Sequence, residues 1–113
     1  MIMQHQQLAD GHWNGFSLME QLANIGSEVE RAIKWENKKN QSYSELAYFR
    51  ALELIDLTLD DKKNLHRLHE IVRIRELLVD YFVGSNSYQS SDEKWQKYFY
   101  PFYYAARLHN SPR

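Results

Sequence analysis

Leu18, Leu22, Ile25, Val29, Ala32 and Ile33 recur at three- and four-residue steps, which at 100° per residue places them on one stripe of a helix. Ser17 and Glu20, just ahead of that stripe, have the spacing of a capping box, in which each side chain satisfies a free backbone N–H at a helix start. A first helix is therefore expected from about Ser17 to the Asn37-Lys38-Lys39-Asn40 turn, where basic side chains complement the negative end of the helix dipole. Ser42 and Glu45 repeat the capping spacing, and Phe49, Leu52, Ile55 and Leu59 form the stripe of a second helix up to Asp60-Asp61-Lys62-Lys63. A third is expected from Asp61 or Lys62 to Val83, with Leu65, Leu68, Ile71, Val72, Leu78, Val79 and Phe82 on its core face and Gly84 as a left-handed cap. Ser90 and Glu93 open a fourth, running to about His109, in which Pro101 removes a backbone donor and predicts a kink or a break.

No segment shows sustained period-two alternation between hairpin turns, so no sheet is expected. The fold class read from the pattern is all-α. Helices of this length joined by short loops fold as antiparallel neighbours, which makes an up-down four-helix bundle the economical topology. The chain divides into a loosely held segment at 1–15, one helical domain at 16–109 and a tail at 110–113.

Two kinds of residue break the stripes. The first is surplus apolar surface: Ile74, Leu77 and Tyr81 lie opposite the main stripe of the third helix, and Leu46, Leu54 and Leu57 do the same on the second. Trp95, Tyr98, Phe99, Phe102 and Ala106 make one face of the fourth helix, leaving Tyr100, Tyr103 and Tyr104 beside Arg107 on another. Tyrosine and arginine bury area while keeping a polar end, and are favoured where one protein docks on another. These residues point to a partner chain, either an identical copy or another helical protein. The second kind is charge inside a stripe. Arg75 falls within the apolar face of the third helix and Asp56 within that of the second. Buried, they must pair; in a cleft, Asp56 orients a guanidinium that grips a phosphate or carboxylate. Trp35 stands on the polar side of the first helix with Asn24, Glu28 and Arg31, where it is expected to pack on Arg31 through a cation–π contact or under a loop, or else to anchor a partner.

Composition narrows the functional classes. The 113 residues are 43% hydrophobic and 26% charged, the mixture of a folding domain, and the formal net charge is -1. That balance gives no general attraction to nucleic acid or an anionic membrane, and Lys97 and Arg107 are too few to line a nucleic-acid groove. Cysteine is absent, which removes thiolate chemistry and suits a reducing, cytoplasmic compartment. No apolar run approaches the roughly 18 residues of a membrane span.

Candidate chemistry is sparse. His66 and His69 are spaced to share a metal, with Glu70 adjacent, but no further ligand accompanies them, and His5 and His12 lie toward the N-terminal end. Glu-x-x-His pairs, Gly-rich phosphate loops and nucleophile elbows are all missing, so no metal or other cofactor is expected. Glu53-Leu54-Ile55-Asp56 has an E-x-x-D spacing that resembles part of the motif of the all-α nucleoside-triphosphate pyrophosphohydrolases. The resemblance covers these four residues and implies magnesium held between carboxylates on paired helices. The first helix offers Glu28 and Glu30, two residues apart, and no pair of its glutamates has the companion E-x-x-E spacing. Arg67 and Arg107 stand two residues before His69 and His109, too close for the motif of the HEPN ribonucleases. The leading expectation is a self-associating or partner-docking helical module. The alternative is a nucleotide- or anion-binding protein, or a magnesium enzyme, with a pocket at Arg75, Asp56 and Glu53.

Overall fold

A computed structural model describes residues 11–110 of the chain. Among them are α1 (Leu18–Asn37), α2 (Gln41–Asp60), α3 (Leu68–Phe82) and α4 (Asp92–Asn110), with 3₁₀ segments at Trp13–Gly15 and Lys62–Arg67 and no strand. The chain is an all-α, four-helix bundle. Its central member is α1, which lies along α2 on one side and α4 on the other, while α3 leans on α2. The backbones of α3 and α4 approach each other far less, and side chains bridge the space between them.

The helix ends obey local polar chemistry. The capping box of α1 is present: the Ser17 hydroxyl accepts from Glu20 N–H at 3.2 Å, and the Glu20 carboxylate accepts from Ser17 N–H at 3.0 Å. Lys39 closes α1 in the left-handed region at φ 60°, and Asn40 N–H reaches back to the Trp35 carbonyl at 2.9 Å. The start of α2 is capped two residues earlier than expected, because the Asn40 side chain, in place of Ser42, accepts from Tyr43 N–H. Asp61 caps the 3₁₀ turn, and the α-helix proper begins only at Leu68. Gly84 does not supply the left-handed cap of α3; Asn86, at φ 57°, takes that conformation further along the loop. Ser91, one residue beyond Ser90, accepts from Lys94 N–H at the start of α4. Helix α4 then continues through Pro101 without a break.

The segment expected to be loose at 1–15 is firmly held at Trp13, whose ring is buried in the core. Its indole N–H donates to the Thr58 hydroxyl at 2.9 Å, and its carbonyl accepts from the Gln21 amide at 3.0 Å. Gln21 also donates to Asp61, and Asn64 donates to the Gln21 side-chain oxygen at 2.9 Å and to the Thr58 carbonyl at 3.0 Å. Buried polar groups cost free energy unless paired, so this network joins α1, the end of α2 and the 3₁₀ turn in one register. Burial alone would raise the Asp61 pKa, but hydrogen bonds from Lys63 and Gln21 outweigh it and hold the carboxyl below its usual range. The expectations for 1–10 and 111–113, His5 included, lie outside the described residues.

Two helices are rotated from the faces read in the sequence. In α2 the buried row is Ala47, Tyr48, Ala51, Leu54, Ile55 and Thr58, with Phe49 outward. In α3 it is Ile71, Ile74 and Leu78, and Leu65 is 65% exposed. Both helices are apolar on two sides, so a small rotation costs little local pattern and the neighbouring helices decide the result.

Candidate functional site

Helix α4 owes its position to a missing side chain. A Cβ at Gly26 of α1 would meet the Tyr103 hydroxyl at 2.5 Å and the Phe99 ring at 2.6 Å, so only glycine lets both rings rest on the α1 backbone. Phe99 stacks between Trp95 and Tyr103, with centroids 5.9 and 6.5 Å away. The first turn of α4 is tied down by Asp92, which accepts from the Tyr81 hydroxyl and, at 3.2 Å, from the Asn37 amide. Midway along, the Tyr98 hydroxyl donates to Glu70 at 3.3 Å, and Glu70 is itself gripped by Arg67. Burial is the main reason that Tyr81, Tyr98 and Tyr103 are pushed well above the usual phenol pKa, reinforced by Asp92, Glu70 and Glu30 respectively.

With that side turned inward, the opposite side of α4 faces outward. Glu93, Lys97, Tyr100, Tyr104, Arg107 and Leu108 are spaced mostly three and four residues apart and are all exposed. Tyr100 is 63% exposed, Tyr104 53% and Leu108 56%. The cluster anticipated from sequence is thereby divided. Tyr100, Tyr104 and Arg107 share the outer face, whereas Tyr103 turns toward Gly26 with its hydroxyl buried. The row can supply aromatic contact area flanked by an anion at one end and cations further along. It contains no nucleophile paired with a base.

The surplus apolar residues of α3 are wholly or partly covered within the chain, and of those on α2 Leu54 is buried while Leu46 is exposed. Ile74 is 3% exposed, Leu77 turns toward α4, and Tyr81 meets the Trp95 ring. They line or adjoin a groove of about 230 Å³ between α3 and α4, floored by Ile74, Leu77, Trp95 and Tyr98 and edged by Tyr88, Ser90 and Lys94. The loop at its rim is held by the Asp80 carboxylate, which accepts from Ser87 and Tyr88 N–H at 2.9 and 3.1 Å. Arg73 lies over the Tyr88 ring at 4.5 Å. Sequence reading missed both the groove and the Gly26 seat, although a glycine inside a strong helix pattern is the signal for the latter.

Arg75 and Asp56 do meet, with the guanidinium Nε donating at 2.8 Å, but the pair is not buried: the two side chains are 39% and 51% exposed. The helix rotations carry both charges to the surface. The Asp56 hydrogen bond holds the Arg75 pKa above its usual value. Glu53, three residues away, is buried while the Asp56 side chain is half exposed and engaged by Arg75, and among the described residues no third carboxylate joins them. Among the described residues no three His, Asp or Glu side chains gather as metal ligands; His66 and His69 are exposed, and Glu70 is committed to Arg67 and Tyr98. Trp35 stacks edge-on against Tyr43 at 4.9 Å with Lys34 and Lys38 over its ring, while Arg31 pairs with Glu28 instead.

Comparison with known protein families, with curated proteins and with solved structures yields no match to this chain.

Proposed function

We propose that the chain is a helical interaction module that docks through the outer face of α4. The observation supporting this reading is the row of Tyr100, Tyr104 and Leu108, each more than half exposed on a helix whose other side is pinned to α1. Burying such a row against another protein removes apolar area from water without reorganising the bundle, since the anchoring contacts lie on the far side. The apolar residues on the outside of α2 offer less, because Leu46 and Phe49 are each 38% exposed and Tyr43 already covers Trp35. Arg75 edges a shallow depression with Val72, Glu76, Val79, Asp80 and Tyr88, but its guanidinium is engaged by Asp56 and the other charged residues lining it, Glu76 and Asp80, are acidic, which disfavours an anion. Among the described residues no helix is long and apolar enough to cross a membrane, and the absence of cysteine fits a cytoplasmic setting.

The test is a dilution series monitored by the aromatic NMR signals of the intact protein. The ring signals of Tyr100 and Tyr104 are expected to move with concentration while those of Tyr43 stay fixed. Movement confined to Tyr43 and Phe49 would overturn the assignment of the docking face, and no movement at any concentration would overturn self-association through it.

A further inference from the structure

The charges along the outer face of α4 are arranged so that a second copy of the same helix complements it in one orientation. Glu93 stands at the N-terminal end of the exposed row and Arg107 at the C-terminal end, with Lys97, Tyr100 and Tyr104 between them. Glu93 and Arg107 are separated by almost four helical turns, roughly 21 Å at about 1.5 Å per residue, and project on the same side. Tyr100 lies midway between them.

We infer that two copies pair α4 against α4 antiparallel, about a two-fold axis near Tyr100 and Pro101, with Glu93 of each protomer opposite Arg107 of its partner. This rests on the reading of the outer face as the docking surface and adds the occupant and the register. A parallel pair would set Glu93 against Glu93, Lys97 against Lys97 and Arg107 against Arg107, all repulsive. The antiparallel pair exchanges the two end repulsions for two attractions, brings Lys97 over the partner's Tyr104 ring, and opposes the helix dipoles. An isologous contact of this kind closes at two copies, so growth stops at the dimer. One helix face is a small contact beside the roughly 800 Å² per partner of a standard interface, so a reversible, concentration-dependent dimer is expected.

Complementing charge variants test the register. Glu93→Arg alone sets arginine against Arg107 at both ends, and Arg107→Glu alone sets glutamate against Glu93. Each is expected to weaken self-association by about tenfold at low salt, given two solvent-exposed contacts changed from attraction to repulsion. Mixed in equal amounts, the two variants place opposite charges at both ends again. Native mass spectrometry, with one variant isotopically heavier, is expected to show the mixed dimer forming as readily as the parent dimer. Both sites are exposed, and circular dichroism verifies that the helices are retained. Single variants that dimerise like the parent, or a mixture as weak as its components, would overturn the antiparallel register. A companion variant, Tyr100→Ser with Tyr104→Ser and Leu108→Ser, separates the two readings. If it disperses the dimer while the charge variants do nothing, the register fails and the docking face stands; if it leaves the dimer intact, both fail.

Discussion

Gly26 sits in the middle of a helix, where glycine is usually a cost of about 0.5–1 kcal/mol relative to alanine. Here the sign reverses, because the Cβ of alanine would collide with the rings of Phe99 and Tyr103. Gly26→Ala is expected to destabilise the fold by about 1–3 kcal/mol despite its better helix propensity, measured by urea denaturation; a stabilised variant would show that α4 does not rest on α1 there. The sequence displays a glycine at this position but not what lies over it. Arg75 and Asp56 illustrate the reverse case. Their departure from the apolar pattern was legible, and the two do pair, yet the pair sits at the surface, where such bridges contribute about 0–1 kcal/mol. The tyrosines carry a pH consequence. Tyr48, Tyr81, Tyr98 and Tyr103 all have pKa values raised mainly by burial. A phenol whose folded pKa exceeds its unfolded one stabilises the fold fully below about pH 10 and loses that contribution as pH rises through the folded values. Above about pH 10 stability is expected to fall, with ionisation of these four rings accompanying loss of the helical signal. Completion of the phenolate absorbance change while the helices persist would contradict their burial.

Among the elements, α1 was the most legible. Its capping box, its single stripe and its basic turn all agree, so local propensity and tertiary environment point the same way. Helices α2 and α3 were legible in existence and length but not in orientation, since two apolar sides leave the inward face to be chosen by neighbours distant in sequence. Leu65, placed in the core from the pattern, is exposed because the first turn after Asp61 is 3₁₀ and shifts the phase of the helical turns beyond it. The polar network around Gln21 was also hidden, because its members are scattered from Trp13 to Asn64 and none forms a motif. It makes a clear prediction at this scale. Asn64→Ala leaves the Gln21 oxygen and the Thr58 carbonyl without this buried donor and is expected to cost about 1–3 kcal/mol in thermal or chemical unfolding. A neutral result would mean that the junction of α1, α2 and the 3₁₀ turn is held by apolar contact alone.

At the scale of the whole molecule, the bundle has one helix, α4, with both sides rich in aromatic rings, and the chain uses only one side internally. The inner rings settle on α1 through Gly26 and on α3 through Tyr81 and Glu70; on the outer side Tyr100, Tyr104 and Leu108 stay more than half exposed. That such a face exists was readable from the density of aromatics after Trp95, whereas the exclusion of Tyr103, and the covering of Ile74, Leu77 and Tyr81, depend on how α4 is seated. Sedimentation velocity on the untagged protein, from low to high micromolar concentration and beside the Tyr100→Ser, Tyr104→Ser, Leu108→Ser variant, tests the account most directly. A monomer that converts to a dimer as concentration rises, in the parent and not in the variant, is the predicted result. A parent that remains monomeric throughout, or a variant that dimerises equally well, would contradict it.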